Sequence, residues 1–368
     1  MNKRNLTLDI CKALAMIFII LIHVMQRSVV GFTNNWGSSV LLVLGVPIYF
    51  LVSGIAINYR KPLSPLGFVY DVIKRALMYM WPAVLFLLLR VWFYKVQPNF
   101  AMAFSEYMEY PAMGLWVLWL LVWYNALVDI ALLVSFLLPK WKKIIIAITL
   151  VIGFTIFVIL RNVNTIPTYH FIGYDYFVIY TPIFFVGFIF GDKIFGFVNK
   201  WISLIIFALS LAGVIILCRF SSPFLGSGYH IEENLYIYYL GALCAVGVYY
   251  GLTTLIERIK IGEPIALMGR FSLECYFLHL ILLREWGRFD LGNGWLTFLG
   301  TLGLTLICIG NTVVVVAVTY FLPFTHFILF GRHYSYYSFE NKMWDKLKET
   351  MTKDYFHKNS DNINNITQ

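Results

Sequence analysis

Leu8-Asp9-Ile10-Cys11-Lys12-Ala13-Leu14-Ala15-Met16-Ile17-Phe18-Ile19-Ile20-Leu21-Ile22-His23 is apolar enough to begin a membrane span, yet it carries three ionisable side chains. An ionisable group inside a spanning helix costs about 2.5–3.5 kcal/mol even on lenient insertion scales, so Asp9, Lys12 and His23 read first as functional. Lys12 and His23 are eleven residues apart. At about 100° per residue they return to nearly one helix face, separated by about 16 Å of rise. One stripe therefore holds a cation near one membrane surface and an imidazole deep in the bilayer. A buried imidazole stays neutral and can take a proton from a hydroxyl. Packing alone is the plainer account of such a histidine, and snorkelling is the plainer account of Lys12.

The whole chain extends this pattern. It has 368 residues, 60% hydrophobic and 13% charged, against about 25% charged in soluble domains. That composition predicts an all-α, polytopic membrane protein. Runs of about 20 apolar residues fall near 8–30, 38–58, 71–94, 113–138, 143–161, 176–195, 201–218, 234–256, 264–284 and 295–322, which makes ten expected transmembrane helices. With the N-terminus inside, twenty-one of the twenty-eight Lys and Arg residues collect on the cytoplasmic side. This bias puts both termini in the cytoplasm of a multi-pass cell-membrane protein. It also explains the net charge of +9 without a nucleic-acid partner. Asp9 and Lys12 interrupt the first run and no small-residue cleavage pattern follows His23, so the first span reads as uncleaved. Residues 1–331 form the expected transmembrane domain. Residues 332–368 form a basic cytoplasmic tail, with a short amphipathic helix around Trp344, Leu347 and Met351 and a disordered end.

The five cysteines have unrelated spacings and read as packing residues. There is no HExxH, CxxC or G-x-S-x-G, so no metal site and no serine-hydrolase elbow is expected. Lys74 and Arg75, at the start of the third span, could join Lys12 in phosphate recognition. Asp9 could orient Lys12 from three residues away. Ser53-Gly54 permits close helix approach or passage of a slim ligand. In the ninth span Arg270 and Glu274 stand four apart and could neutralise each other. His279, farther up, is a second buried imidazole whose plainer role is hydrogen bonding between helices. The outer connections, with Glu106, Glu109, His170, His230, Glu232 and Glu233, are polar and aromatic, as a lip for a hydroxyl-rich acceptor would be.

These stretches together resemble the acyltransferase-3 family of integral membrane acyltransferases that modify bacterial surface glycans. The resemblance lies in Leu8-Asp9-x-x-Lys12-Ala13-x-Ala15 with His23, in Pro47 through Ser53-Gly54, in Lys74-Arg75 with Trp81-Pro82, in Gly114-Leu115-Trp116-Val117-Leu118, and in Gly269-Arg270-x-Ser272 through Tyr276-x-Leu278-His279. Lys12 stands where arginine is commoner, Ala13 replaces a glycine, and Tyr79 stands where a second arginine often lies. The resemblance implies transfer of an acyl group, usually acetyl, from cytoplasmic acyl-CoA to a sugar hydroxyl at the outer face. Acyl-CoA is then a donor substrate, not a permanently bound cofactor, and the acceptor is a surface or lipid-linked glycan. His23 becomes the general base or acyl carrier. Lys12, Ser53, Gly54, Lys74 and Arg75 become donor-binding residues, supported by Asp9, Trp116, Arg270, Glu274 and His279. The rival expectations are a glycan or lipid-precursor transporter, with the buried charges lining its path, and a scaffold whose polar groups only lock helices.

Overall fold

The structure, a computed structural model, describes residues 6–29, 36–92, 99–109, 116–162, 173–195, 200–221, 235–258, 261–283 and 294–332. Among these residues it is all helical, with no strand. The helices are α1 (Leu6–Ser28), α2 (Trp36–Ile57), α3 (Pro65–Trp92), α4 (Phe100–Glu109), α5 (Trp116–Leu137), α6 (Lys142–Asn162), α7 (Tyr174–Phe190), α8 (Lys200–Ser221), α9 (Leu235–Arg258), α10 (Gly262–Arg270), α11 (Ser272–Leu282), α12 (Gly294–Tyr320) and α13 (Pro323–Phe330). Eight of them (α1, α2, α3, α5, α6, α8, α9 and α12) are long and apolar enough to cross a membrane. Together α10 and α11 make a ninth candidate, bent by 74°. The seventeen residues of α7 are apolar but shorter.

α1 and α2 occupy the centre and are the most buried of the long helices. α1 packs against α2, α9, α10, α11 and α12, while α2 also meets α7 and α8. α5 joins α3, α6 and α7, and α8 pairs with α9 at the periphery. The α2–α7 crossing is close because each helix offers a glycine to the other's backbone. A Cβ on Gly54 would stand 2.0 Å from the Phe184 carbonyl oxygen, and one on Gly187 2.1 Å from that of Leu51. α12 turns Thr297, Thr301, Thr305, Thr312 and Thr319 inward. Within that row the Thr301, Thr305, Thr312 and Thr319 hydroxyls donate to the carbonyl four residues back, at 2.7–2.8 Å. These four hydroxyls are thus satisfied within their own helix, which lowers the cost of burying a polar face.

Three features depart from the expected pattern. The span at 264–284 is two helices, broken at Phe271, whose backbone (φ −100°, ψ 22°) leaves the helical region. The connection after α3 contains α4, started by Asn99, whose side-chain oxygen accepts from the Met102 N–H at 2.9 Å. After α12 the chain turns through α13 and ends that helix at Gly331, with φ +62°. A side chain at Gly331 would also meet the Leu77 carbonyl at 2.1 Å, so glycine is required there both for its backbone conformation and for space. The tail beyond 332, together with His170, His230, Glu232 and Glu233, lies outside the described residues.

Candidate active site

At the end of the bundle where α1 begins, Lys12, Ser53, Arg75 and Arg270 line one cavity of about 330 Å³ together with Tyr49, Arg60, Tyr79, Asn125 and Arg332. Residues from seven helices and two turns therefore meet there, although they are scattered over 320 positions of sequence. The Ser53 hydroxyl donates to the Tyr49 carbonyl at 2.8 Å, as a helical serine can. Lys142 Nζ donates to the carbonyls of Asn58 and Arg60 at 3.2 and 2.8 Å and so closes the end of α2.

The cations are held by carboxylates distant in sequence. Asp129, 1% exposed, pairs with Arg60 and lies 3.3 Å from Arg75 Nε. Asp71 bridges the same two arginines at 2.7 and 3.5 Å. Arg332 grips Glu274 with two donors, Nε to Oε1 at 2.6 Å and Nη2 to Oε2. Burial opposes the Arg332 charge, but the Glu274 carboxylate outweighs it and holds the guanidinium pKa above its ordinary value. His326 Nε2 lies 3.5 Å from the same carboxylate, and its Nδ1 is 3.1 Å from the Thr319 hydroxyl.

Several expectations are corrected here. Arg270 and Glu274 do not neutralise each other, because the break at Phe271 destroys the four-residue helical spacing. Arg270 Nε instead lies 3.5 Å from Asp9 Oδ2, and Glu274 turns to Arg332. Gly269 permits the first contact, since a Cβ there would stand 1.8 Å from the Asp9 carbonyl oxygen. Gly54 turns its open side to α7, which makes it a packing glycine. Lys74 does not share the smaller cavity. It lines an adjoining one of about 900 Å³, with its ammonium 5.7 Å from the Tyr70 ring centre. Arg75, Met78, Arg270 and Arg332 form the wall common to both cavities. Trp116 belongs to an aromatic stack, 4.3 Å from Tyr176 and 5.3 Å from Tyr180.

About 16 Å farther along α1 by helical rise, His23 meets His279 of α11 with ring centres 5.3 Å apart. His279 is fully buried, and its Nδ1 is 3.1 Å from the Cys275 carbonyl. A carbonyl can only accept, so the proton sits on Nδ1 and Nε2 is the basic atom. His23 Nδ1 faces the Gln26 side-chain oxygen at 3.3 Å, which favours the same tautomer. The site thus has two parts, a cationic cavity near one surface and a pair of imidazoles toward the other. Sequence reasoning missed Arg60, Asp129 and Arg332 as members. Asp129 stands out as a charge within an apolar run, although nothing in the sequence gives it a partner, and Arg332 follows directly on a turn glycine that closes the last apolar run.

A family model described as an acyltransferase domain matches residues 5–337. No curated protein and no solved structure matches the chain.

Proposed function

The chain belongs to the acyltransferase-3 family, and from that premise we propose that it transfers an acyl group, acetyl in the first instance, from cytoplasmic acyl-CoA to a hydroxyl of a surface or lipid-linked glycan. The observation that carries this reading is the convergence of Lys12, Arg60, Arg75, Arg270 and Arg332 on one cavity at the foot of the helix that bears His23. The five cations outnumber the four carboxylates that pair with them (Asp9, Asp71, Asp129 and Glu274) by one, and this excess charge with the guanidinium donors lining the cavity supports phosphate binding there. CoA phosphates would rest there, and the pantetheine arm would run along α1 toward the imidazole pair. In the direct route, His23 takes the acceptor's hydroxyl proton while the oxygen attacks the thioester carbonyl. The tetrahedral intermediate then expels the CoA thiolate, which leaves with the proton as free CoA. In the two-step route His23 attacks the thioester carbonyl and expels the CoA thiolate, carries the acyl group on nitrogen, and passes it to the acceptor oxygen as the acyl–nitrogen bond breaks, the hydroxyl proton ending on CoA as its thiol.

The same reading takes the protein as a ten-span protein of the cell membrane with both termini in the cytoplasm. α7 rises about 25 Å by itself, close to a hydrocarbon layer of about 30 Å, and the chain turns at Gly191 (φ +56°) into the 3₁₀ turn Gly191–Phe195. Mass spectrometry of surface glycans from cells with and without the gene tests donor and acceptor together. An acyl mass that appears only with the protein supports the proposal. Unmodified glycans in both, with glycan crossing vesicle membranes only when the protein is present, would replace it with transport.

A further inference from the structure

The cavity of about 900 Å³ beside the cationic one has walls of two kinds. α3 supplies Asp71, Lys74, Arg75 and Met78, and α12 supplies Val313, Val316, Ala317 and Tyr320. Each set runs i, i+3, i+4, i+7, so each is one continuous helix stripe facing the space. α10 adds a third stripe, Pro264, Leu267 and Met268, continued by Phe271 at the break. The first stripe is charged and the other two are apolar. The 74° bend carries α10 out of line with α11, and the cavity lies between α10, α3 and α12. Along α12 the apolar wall is about 10 Å long by helical rise. Leu267, Val313 and Phe321 are 52%, 45% and 81% exposed, so this wall is continuous with the apolar outer surface of the bundle.

The polar wall is positive. Four cations (Lys74, Arg75, Arg270 and Arg332) line the cavity with two carboxylates (Asp71 and Glu274). Asp129 and Asp9, behind that wall, meet part of the charge of Arg75 and Arg270. With Lys12 and Arg60 of the adjoining cavity included, six cations still stand against four carboxylates. We propose that this cavity binds an anionic phospholipid, its phosphodiester against Lys74 and Arg270 and one acyl chain along the α12 and α10 stripes. A basic pocket between spanning helices, open along an apolar slot to the bilayer, has the chemistry that recognises such lipids. A zwitterionic lipid brings its own cation to the same wall and gains less there. The site requires that the chain lie in a membrane and does not depend on acyl transfer.

Native mass spectrometry of the full-length protein, delipidated in an uncharged detergent and then given phosphatidylglycerol and phosphatidylcholine of identical chains, reads the site without turnover. Phosphatidylglycerol should be retained over phosphatidylcholine by at least about fivefold, the scale of one basic residue beside an anionic lipid. Lys74→Gln should erase most of this preference. Ala317→Phe, which fills the slot, should abolish retention, whereas Val314→Phe, at a position 59% exposed and outside the cavity, should keep it. Should Ala317→Phe fail to fold, the lipid pair and Lys74→Gln decide alone. Equal retention of the two lipids, a preference untouched by Lys74→Gln, or a folded Ala317→Phe that holds phosphatidylglycerol as Val314→Phe does would reduce the contact to ordinary boundary lipid and overturn the site. If folded Ala317→Phe also loses thermal protection by acetyl-CoA that the wild type shows, the cavity belongs to the donor and the lipid site is overturned as well. Retention as expected, with no protection of even the wild type by acetyl-CoA, leaves the lipid site standing while the acyl-transfer reading falls.

Discussion

Lys12 lines the cationic cavity from the helix that carries His23, and it is the most economical residue on which to test donor recognition. Lys12→Ala is expected to raise the Michaelis constant for acetyl-CoA about tenfold, in keeping with one charge-assisted contact of about 1.5–3 kcal/mol, with little change in maximal rate. Steady-state transfer by purified protein at varied acetyl-CoA measures both. Glu274 calls for a stability test, since its carboxylate meets Arg332 and His326 while only 2% exposed. Glu274→Gln leaves a guanidinium without its countercharge, a loss of about 3–5 kcal/mol for a broken buried pair, discounted because the Arg332 side chain is 22% exposed. A clear fall in the thermal midpoint in detergent is expected. Lys12 and His23 are visible in sequence because an ionisable group stands out in an apolar run. The partners of Arg60 and Arg332 are not visible, because Asp129 lies 69 residues from the first and Glu274 58 from the second. No local pattern pairs side chains at that distance.

At the scale of the element, apolar run length located almost every helix. The ends of α1, α2, α5, α6, α8, α9 and α12 lie within a few residues of the expected spans. Hydropathy cannot see a kink, however, and the α10–α11 break passed as one uninterrupted span. It could not see α4 or α13 either, since ten and eight residues are too few to cross a bilayer. The reciprocal glycines of α2 and α7 allow an element-scale prediction. Gly54→Ala and Gly187→Ala each force a methyl into opposing backbone and should cost about 1–3 kcal/mol. The double variant should cost less than the sum, because one separation of the helices relieves both clashes. Thermal midpoints of the three variants, compared with the wild type, check the shortfall.

The molecule as a whole reads as two chemistries at opposite ends of one central helix. The proposed orientation, drawn from the positive-inside bias, puts the cationic end in the cytoplasm. Reporter fusions after residues 61 and 140 should therefore report cytoplasm, and one after residue 96 the outer side. The composition alone excluded a soluble fold, whereas the union of the two ends around α1 required the packed structure. The most direct measurement of that union is acetyl transfer by His23→Ala, assayed with thermal protection by acetyl-CoA on the same preparation. The account predicts a loss of transfer of at least about a hundredfold, the scale of a removed general base, with protection unchanged. An alanine variant that transfers acetyl at near the wild-type rate would contradict it.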